Sequence, residues 1–371
     1  MQMPPALLED WMRDYYFAAE IDIGSSGVQD YSLAEIRRLL GIEWEDLDRI
    51  VFHDSQTLGG MNLRQAIADR WAGGAVERVM ATHGSSEANF LLMNALLESG
   101  DDVIVADPIY PQLFAIAEAK GCRLHKWTLR FEQGFAADLG ELERLLTPGT
   151  RMVVVNFPQN PTGASVTPEE QRALVDLVAR SGAYLVWDNA FGEITYEAPP
   201  LPDPTAFYER AISMGTLSKC FGLPGLRVGW CIAAPEVLER CIRWRDYVTL
   251  HLSPLVETIA SAAIAQADLL IAPRLEQARS NLEILGGWLA GRAEEIEWVP
   301  PRGGVCVFPR LVPRLDVEAL CHRLAQDKKV LLVPGSCFGH PRHVRLGFGG
   351  SAAQLQEGLG RLGEVLDSWR D

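Results

Sequence analysis

From about residue 76 onward the chain repeats one phrase: a short unbroken apolar run, a polar loop, then a stretch with apolar residues at helical spacing. Runs at 76–82, 102–106, 151–156, 183–187, 211–215 and 228–233 read as strands, and 88–97 and 113–119 as helices. Thr167-Pro168-Glu169-Glu170 opens another helix with a cap, a first-position proline and acidic first-turn residues. Strands whose apolar residues do not alternate with polar ones are buried on both faces, which requires a mostly parallel sheet covered by helices. The fold class is therefore α/β. Beyond residue 255 the pattern changes to a long helical stretch at 254–288, then Arg302-Gly303-Gly304-Val305, then helix, strand and helix. This predicts a large α/β domain over 45–255, a smaller α+β C-terminal domain over 256–371, and an N-terminal arm, 1–44, packing with the smaller one.

Composition removes several function classes. The 371 residues carry 34 basic and 49 acidic side chains, a net charge of −15, which offers no basic surface for nucleic acid or an anionic membrane. The seven cysteines are odd in number and form no C-x-x-C, which argues against a disulfide scaffold or a zinc ribbon and for a reducing compartment. The opening MQMPPALLEDWMRD lacks a basic region followed by a long apolar stretch, so a cytoplasmic protein is expected. Apolar runs such as 152–155 fall far short of the ~20 residues of a membrane span.

Ligands of open α/β sheets collect beyond the carboxyl ends of the strands, and the polar residues of this chain fall there. His83-Gly84-Ser85-Ser86 follows one strand and begins a helix, so its N–H groups can hold an anion such as phosphate. Asp107-Pro108-Ile109-Tyr110 follows the next, and Asn156-Phe157-Pro158-Gln159-Asn160 a third. Asp188 ends a fourth, Thr216-Leu217-Ser218-Lys219 a fifth, and Arg227 comes eight residues after the lysine. Taken singly, a strand-end aspartate is a turn residue and a surface lysine is solvated. Their joint order on one face carries the weight.

Over residues 76–345 that order resembles the fold-type I aminotransferase superfamily of pyridoxal 5′-phosphate enzymes. The resemblance implies that Lys219 holds the cofactor covalently, Asp188 pairs with its ring nitrogen, Asn160 donates to its phenolic oxygen and Tyr110 stacks on the ring. It implies that Ser85, Ser86, Thr216 and Arg227 hold the phosphate. Arg345, in Val344-Arg345-Leu346-Gly347-Phe348, would bind the substrate carboxylate with help from Asn160. The residue types suit these tasks: a carboxylate keeps a ring nitrogen protonated, a desolvated lysine beside other cations is a nucleophile near neutral pH, and arginine grips a carboxylate with two parallel hydrogen bonds.

Two departures narrow the reading. The superfamily's tyrosine three residues after the aspartate is Phe191, and the tyrosine that reaches the neighbouring subunit's phosphate is Asp54. A carboxylate near a phosphate is costly unless a cation accompanies it. The whole chain most resembles the capreomycidine synthase-like branch, which cyclises hydroxylated arginine. That likeness runs through Leu8-Glu9-Asp10-Trp11, Ser25-Ser26-Gly27-Val28, Thr82-His83-Gly84-Ser85-Ser86-Glu87 and Gly222-Leu223-Pro224-Gly225-Leu226-Arg227. It implies a homodimer with shared active sites, the Asp54 segment crossing between subunits, and a small guanidino amino acid as substrate. Lys219 would remove the α-proton and the hydroxyl would leave as water, directly from Cβ or, from Cγ, after a further β-proton loss; a guanidine nitrogen would then close a six-membered ring in the first case and a five-membered ring in the second. Glu9, Asp54 and Ser25 are candidates to bind the guanidinium, and His83 to protonate the leaving hydroxyl.

Alternatives within the superfamily are an ordinary aminotransferase using a 2-oxo acid and an arginine oxidase. A hydrolase built on Ser86 would leave Lys219, Asn160 and Arg345 unexplained. Gly347-Phe348-Gly349-Gly350-Ser351-Ala352 has too little chain after it for a dinucleotide unit, and no histidine or cysteine spacing suits a metal.

Overall fold

A computed structural model describes residues 2–312 and 315–368; residues 369–371, the end of the expected C-terminal unit, lie outside that range. The predicted parallel sheet forms, with seven strands: β1 (Val79–Thr82), β2 (Asp102–Asp107), β3 (Arg123–Thr128), β4 (Thr150–Asn156), β5 (Tyr184–Asp188), β6 (Ala211–Thr216) and β7 (Gly229–Ile232). Their order across the sheet is β1-β7-β6-β5-β4-β2-β3. Only β7 runs antiparallel to its neighbours. Every residue of β1, β5, β6 and β7 is buried, which is why their sequences show no alternation.

The helix after β1 begins at Gly84, as the His83-Gly84-Ser85-Ser86 turn predicted, with Ser85 and Ser86 facing the site. Two differences from the sequence expectation have physical causes. The strand β3 (Arg123-Leu124-His125-Lys126-Trp127-Thr128) lies at the sheet edge, half open to solvent, so it never needed an apolar run. The stretch 254–288 is not continuous: Pro254–Ala265 and Ala267–Ala290 meet at a 68° bend.

The C-terminal part builds short strands rather than a second large sheet. Val344–Gly347 pairs antiparallel with both Cys306–Val307 and Val333–Pro334. The N-terminal arm joins it: Ile21 and Asp22 pair in parallel with Val330 and Leu331, and Trp11 Nε1 donates to the Leu332 carbonyl at 3.0 Å. Gly358 permits close packing there, since a Cβ on it would lie 2.6 Å from Ile23 Cγ2. The arm is thereby carried over the carboxyl ends of the large sheet, where Glu9, Met12 and Ser25 line a cavity with Lys219. No single helix among the described residues is long and apolar enough to cross a membrane.

Candidate active site

The register of the sheet sets one end of the site. Gly229 is paired with both Thr82 and Thr216, so β7 brings the Gly84 turn and the Thr216–Lys219 turn together. A Cβ on Gly229 would lie 2.5 Å from Gly84 C and from Ser85 N, and one on Gly84 would lie 2.7 Å from an Arg227 nitrogen. Gly229→Ala should therefore displace this turn. Overpacking of this kind costs about 2 kcal/mol, and weaker cofactor retention on dialysis, with a lower Tm, is the expected result. Arg227 takes the left-handed backbone conformation (φ 54°). Its Nη1 donates to Ser218 Oγ at 3.2 Å and to the Pro224 carbonyl at 3.0 Å. Among the described residues no carboxylate forms an ion pair with Arg227. A cation, three neighbouring hydroxyls and the first turn of a long helix make a receptor for an anion.

Eleven of the residues singled out in the sequence share one cavity of about 310 Å³: Lys219, Asp188, Asn160, Tyr110, Ser85, Ser86, Thr216, Arg227, Arg345, Glu9 and Ser25. Lys219 is half-buried, with Nζ 3.2 Å from Ser26 Oγ, and desolvation first, then the Arg345 charge, pushes its amine below the usual lysine range. Asp188 is buried at the end of β5 and accepts from the Ala190 N–H at 2.8 Å. Burial pushes its carboxyl up to about 6, against the pull of that N–H and of Lys219. Asn156 Nδ2 donates to the Asp188 carbonyl at 2.8 Å, and Asn156 Oδ1 accepts from the Asn160 N–H at 2.8 Å, so one buried amide sets two strand-end residues. Arg345 is 3% exposed; it donates to the Gly24 carbonyl at 3.0 Å and to Asn160 Oδ1 at 3.3 Å, and no carboxylate pairs with it among the described residues. A buried guanidinium left without a counter-ion is a carboxylate receptor.

Tyr110 donates to Glu9 Oε1 at 2.6 Å, which ties the arm's first helix, Leu7–Tyr15, to the loop after β2. Burial, and then the Glu9 charge, push the Tyr110 phenol well above its usual range, so it remains a donor. An adjoining cavity of about 740 Å³ shares Met12, Ser25, Ser218, Lys219 and Pro224 with this one and is edged by Glu20, Asp22 and Asp30.

Two expected residues do not line the cavity. His83 turns its ring to Glu87, with Nδ1 3.1 Å from Oε2, and Glu87 Oε2 also accepts from the His83 N–H at 2.5 Å. A histidine clamped to its own helix is not presented to a leaving group, and the expected acid role finds no support in this placement. Asp54 is exposed and pairs with His251 Nε2 at 3.1 Å. His251 Nδ1 faces the Leu252 carbonyl at 3.0 Å. Both ring nitrogens thus face acceptors, and the Leu252 carbonyl and Asp54 raise its pKa. His251 is the titratable partner of the carboxylate at position 54.

Sequence reasoning missed Ser26, Met12 and the buried cluster under the helix start. Glu87 Oε1 accepts from the Thr249 hydroxyl and lies 3.4 Å from Arg245 Nε; Arg245 is fully buried and donates to the Thr57 and Ala81 carbonyls. Burial would raise the Glu87 carboxyl, but the bonds from His83 and the Arg245 charge hold it down to about 2. Its stabilisation is complete above the unfolded value near 4.5 and is lost as pH falls toward 2. Glu87→Gln should cost about 2 kcal/mol at pH 7, allowing for partial solvent screening. The difference in Tm from the native protein should shrink between pH 4.5 and pH 2.

The cofactor implied by the resemblance needs an amine for its aldehyde, an acid for its ring nitrogen and an anion receptor for its phosphate. The cavity contains a half-buried amine of lowered pKa, a buried carboxyl near 6 and an arginine with no carboxylate partner among the described residues, with hydroxyls beside a helix start, so the residues present fit. The family described as aminotransferase class I and II matches residues 52–362. A capreomycidine synthase of Streptomyces vinaceus is 47% identical over 368 residues, covering 98% of this chain and 94% of its own. The crystal structure of the PLP-dependent cyclase OrfR superposes with a TM-score of 0.94 at 44% identity, covering 99% of this chain and 98% of that one. An arginine–pyruvate transaminase, AruH of Pseudomonas aeruginosa, is 29% identical over 84% of this chain and 81% of its own. With a matched segment spanning most of its length and a site built at the strand ends of the same sheet, the chain belongs to the class I and II aminotransferase family.

Proposed function

We propose that this chain uses pyridoxal 5′-phosphate to convert a hydroxylated L-arginine into a cyclic guanidino amino acid, with loss of one water and no amino transfer. The observation that carries the reading is the 47% identity to a capreomycidine synthase along 98% of the chain. Phe191 and the Glu9 carboxylate, which has no cation partner among the described residues, both line the cavity and support it.

Lys219 would hold the cofactor, Asp188 its ring nitrogen, Asn160 its phenolic oxygen and Tyr110 its face. Ser85, Ser86, Thr216 and Arg227 would hold its phosphate. When bound, the cofactor supplies a sink for the electron pair left at the substrate α-carbon. Arg345 grips the α-carboxylate by two parallel hydrogen bonds and so fixes which bond faces Lys219. The displaced Lys219 amine, whose pKa desolvation lowers, takes the α-proton onto Nζ. The resulting ammonium returns that proton to the departing hydroxyl, which leaves as water. Glu9, with Ser25 nearby, holds the guanidinium so that a nitrogen reaches the unsaturated carbon.

The working form on this reading is a cytoplasmic homodimer. Its subunits would meet on the exposed apolar face formed by Val51, Phe52, Tyr247, Val248 and Leu250 around the Asp54–His251 pair. All seven cysteines are free thiols, in keeping with a reducing compartment.

The test is to give the holoenzyme 3-hydroxy- and 4-hydroxy-L-arginine separately, without an oxo acid, and to identify products by mass and NMR. A product lighter by one water and carrying a cyclic guanidine is expected; the ring size reports the hydroxyl position used. Glutamate formed from 2-oxoglutarate would instead make the protein a transaminase, and dioxygen uptake an oxidase.

A further inference from the structure

Ring closure has a requirement that Lys219 alone does not meet. A guanidinium stays protonated at neutral pH and has no free electron pair, so a proton must leave one of its nitrogens as the N–C bond forms. The ionisable groups lining the cavity are Glu9, Tyr110, Asp188, Lys219, Arg227 and Arg345. The two arginines cannot accept a proton. Asp188 is fully buried and accepts from the Ala190 N–H. Tyr110 is a phenol that already donates to Glu9, and Lys219 serves the α-carbon. Glu9 remains. Its Oε1 is fixed by the Tyr110 hydroxyl at 2.6 Å, its Oε2 has no protein partner among the described residues, and no cation pairs with it there.

We propose that Glu9 is the base that turns the bound guanidinium into a nucleophile, with Tyr110 as the positioning residue that aims its carboxylate; this rests on the cyclase reading above. One guanidinium proton passes to Glu9 Oε2. The freed nitrogen pair makes the N–C bond, and the carbon–carbon double-bond pair left by dehydration moves to the α-carbon. Glu9 hands its proton to the Lys219 amine, which gave up its own with the departing water, and Lys219 then delivers it to that carbon. Glu9 and Lys219 line the same cavity, across which the proton is exchanged. Nothing is oxidised or reduced, and the ring keeps its positive charge with one N–H fewer.

The test compares holoenzymes carrying Glu9→Gln, Glu9→Asp and, as a control on the acids of the adjoining cavity, Asp30→Asn. Glu9→Gln should raise the KM for hydroxyarginine, since the guanidinium loses its carboxylate, and of the substrate it does dehydrate the cyclised fraction should fall at least about tenfold. Ammonia and an open-chain 2-oxo acid should appear in its place. Glu9→Asp should recover part of the cyclised fraction, and Asp30→Asn should leave it unchanged. Separately from turnover, Glu9→Gln should lower the pH at which Tyr110 ionises, read as phenolate absorbance that Tyr110→Phe removes. If turnover falls with the cyclised fraction intact, Glu9 only binds and the proposal fails. A shift of that fraction in Asp30→Asn also overturns it, by placing the base elsewhere. A native holoenzyme that dehydrates no hydroxyarginine removes the cyclase reading, and this proposal with it.

Discussion

Lys219→Ala is expected to yield a folded, colourless protein that borohydride cannot join to the cofactor and whose turnover is lower by at least about 10⁴-fold. The side chain is half-buried and makes one hydrogen bond, to Ser26, so its removal takes little from the fold. It takes everything from the chemistry proposed, because the same amine must attach the cofactor, remove the α-proton and give it back. Absorbance, mass after reduction and steady-state assay check this together. Turnover within tenfold of the native protein would show that another group does the work.

Asp188→Asn should separate stability from activity. The amide keeps the shape and can still accept from the Ala190 N–H, but it cannot hold a protonated ring nitrogen, and turnover should fall by about 10³-fold. Without cofactor the variant should be the more stable protein at neutral pH. Burial lifts the Asp188 carboxyl from 3.8 to about 6, so the folded state binds the proton more tightly than the unfolded chain. Folding is then increasingly disfavoured as pH rises from 3.8 to about 6. The amide escapes that penalty, by about 2 kcal/mol above pH 6 and by nothing below pH 3.8. Tm of the two apo-proteins across this range is the measurement. A destabilised variant at pH 8 would mean that the buried carboxylate is compensated by a partner the geometry does not show.

Much of the large sheet was legible because burial on both faces writes itself as an unbroken apolar run. Strand β3 was not, because an edge strand with Arg123, His125 and Lys126 pointing outward carries no such mark. The helix break at Gln266 was also invisible. The residue that should interrupt the helix, Pro273, sits inside Ala267–Ala290, and the bend comes earlier, where packing sets it. In the site, the residues that follow strands could be found from the sequence, since each sits where its strand delivers it. Glu9 and Ser25 came only through resemblance, as the arm reaches the cavity by pairing with residues 330 and 331. His83 stood in the right loop, yet the neighbouring Glu87 captured its ring. Arg245, Thr249 and His251 join Glu87 and Asp54 across long sequence separations, which no local pattern records.

The placement of β7 has a consequence for how the polypeptide is made. β1 has β7 as its sole neighbour in the sheet, so residues 79–82 cannot be hydrogen-bonded to it before residues 229–232 have left the ribosome. An apolar segment must therefore wait, unsheltered, through the synthesis of about 150 residues, at rates of about 5–20 per second. Non-local pairing of this kind slows folding and exposes the nascent chain to aggregation. Poor soluble yield at high expression rates, relieved by slower translation or by chaperones, is the outcome this topology dictates.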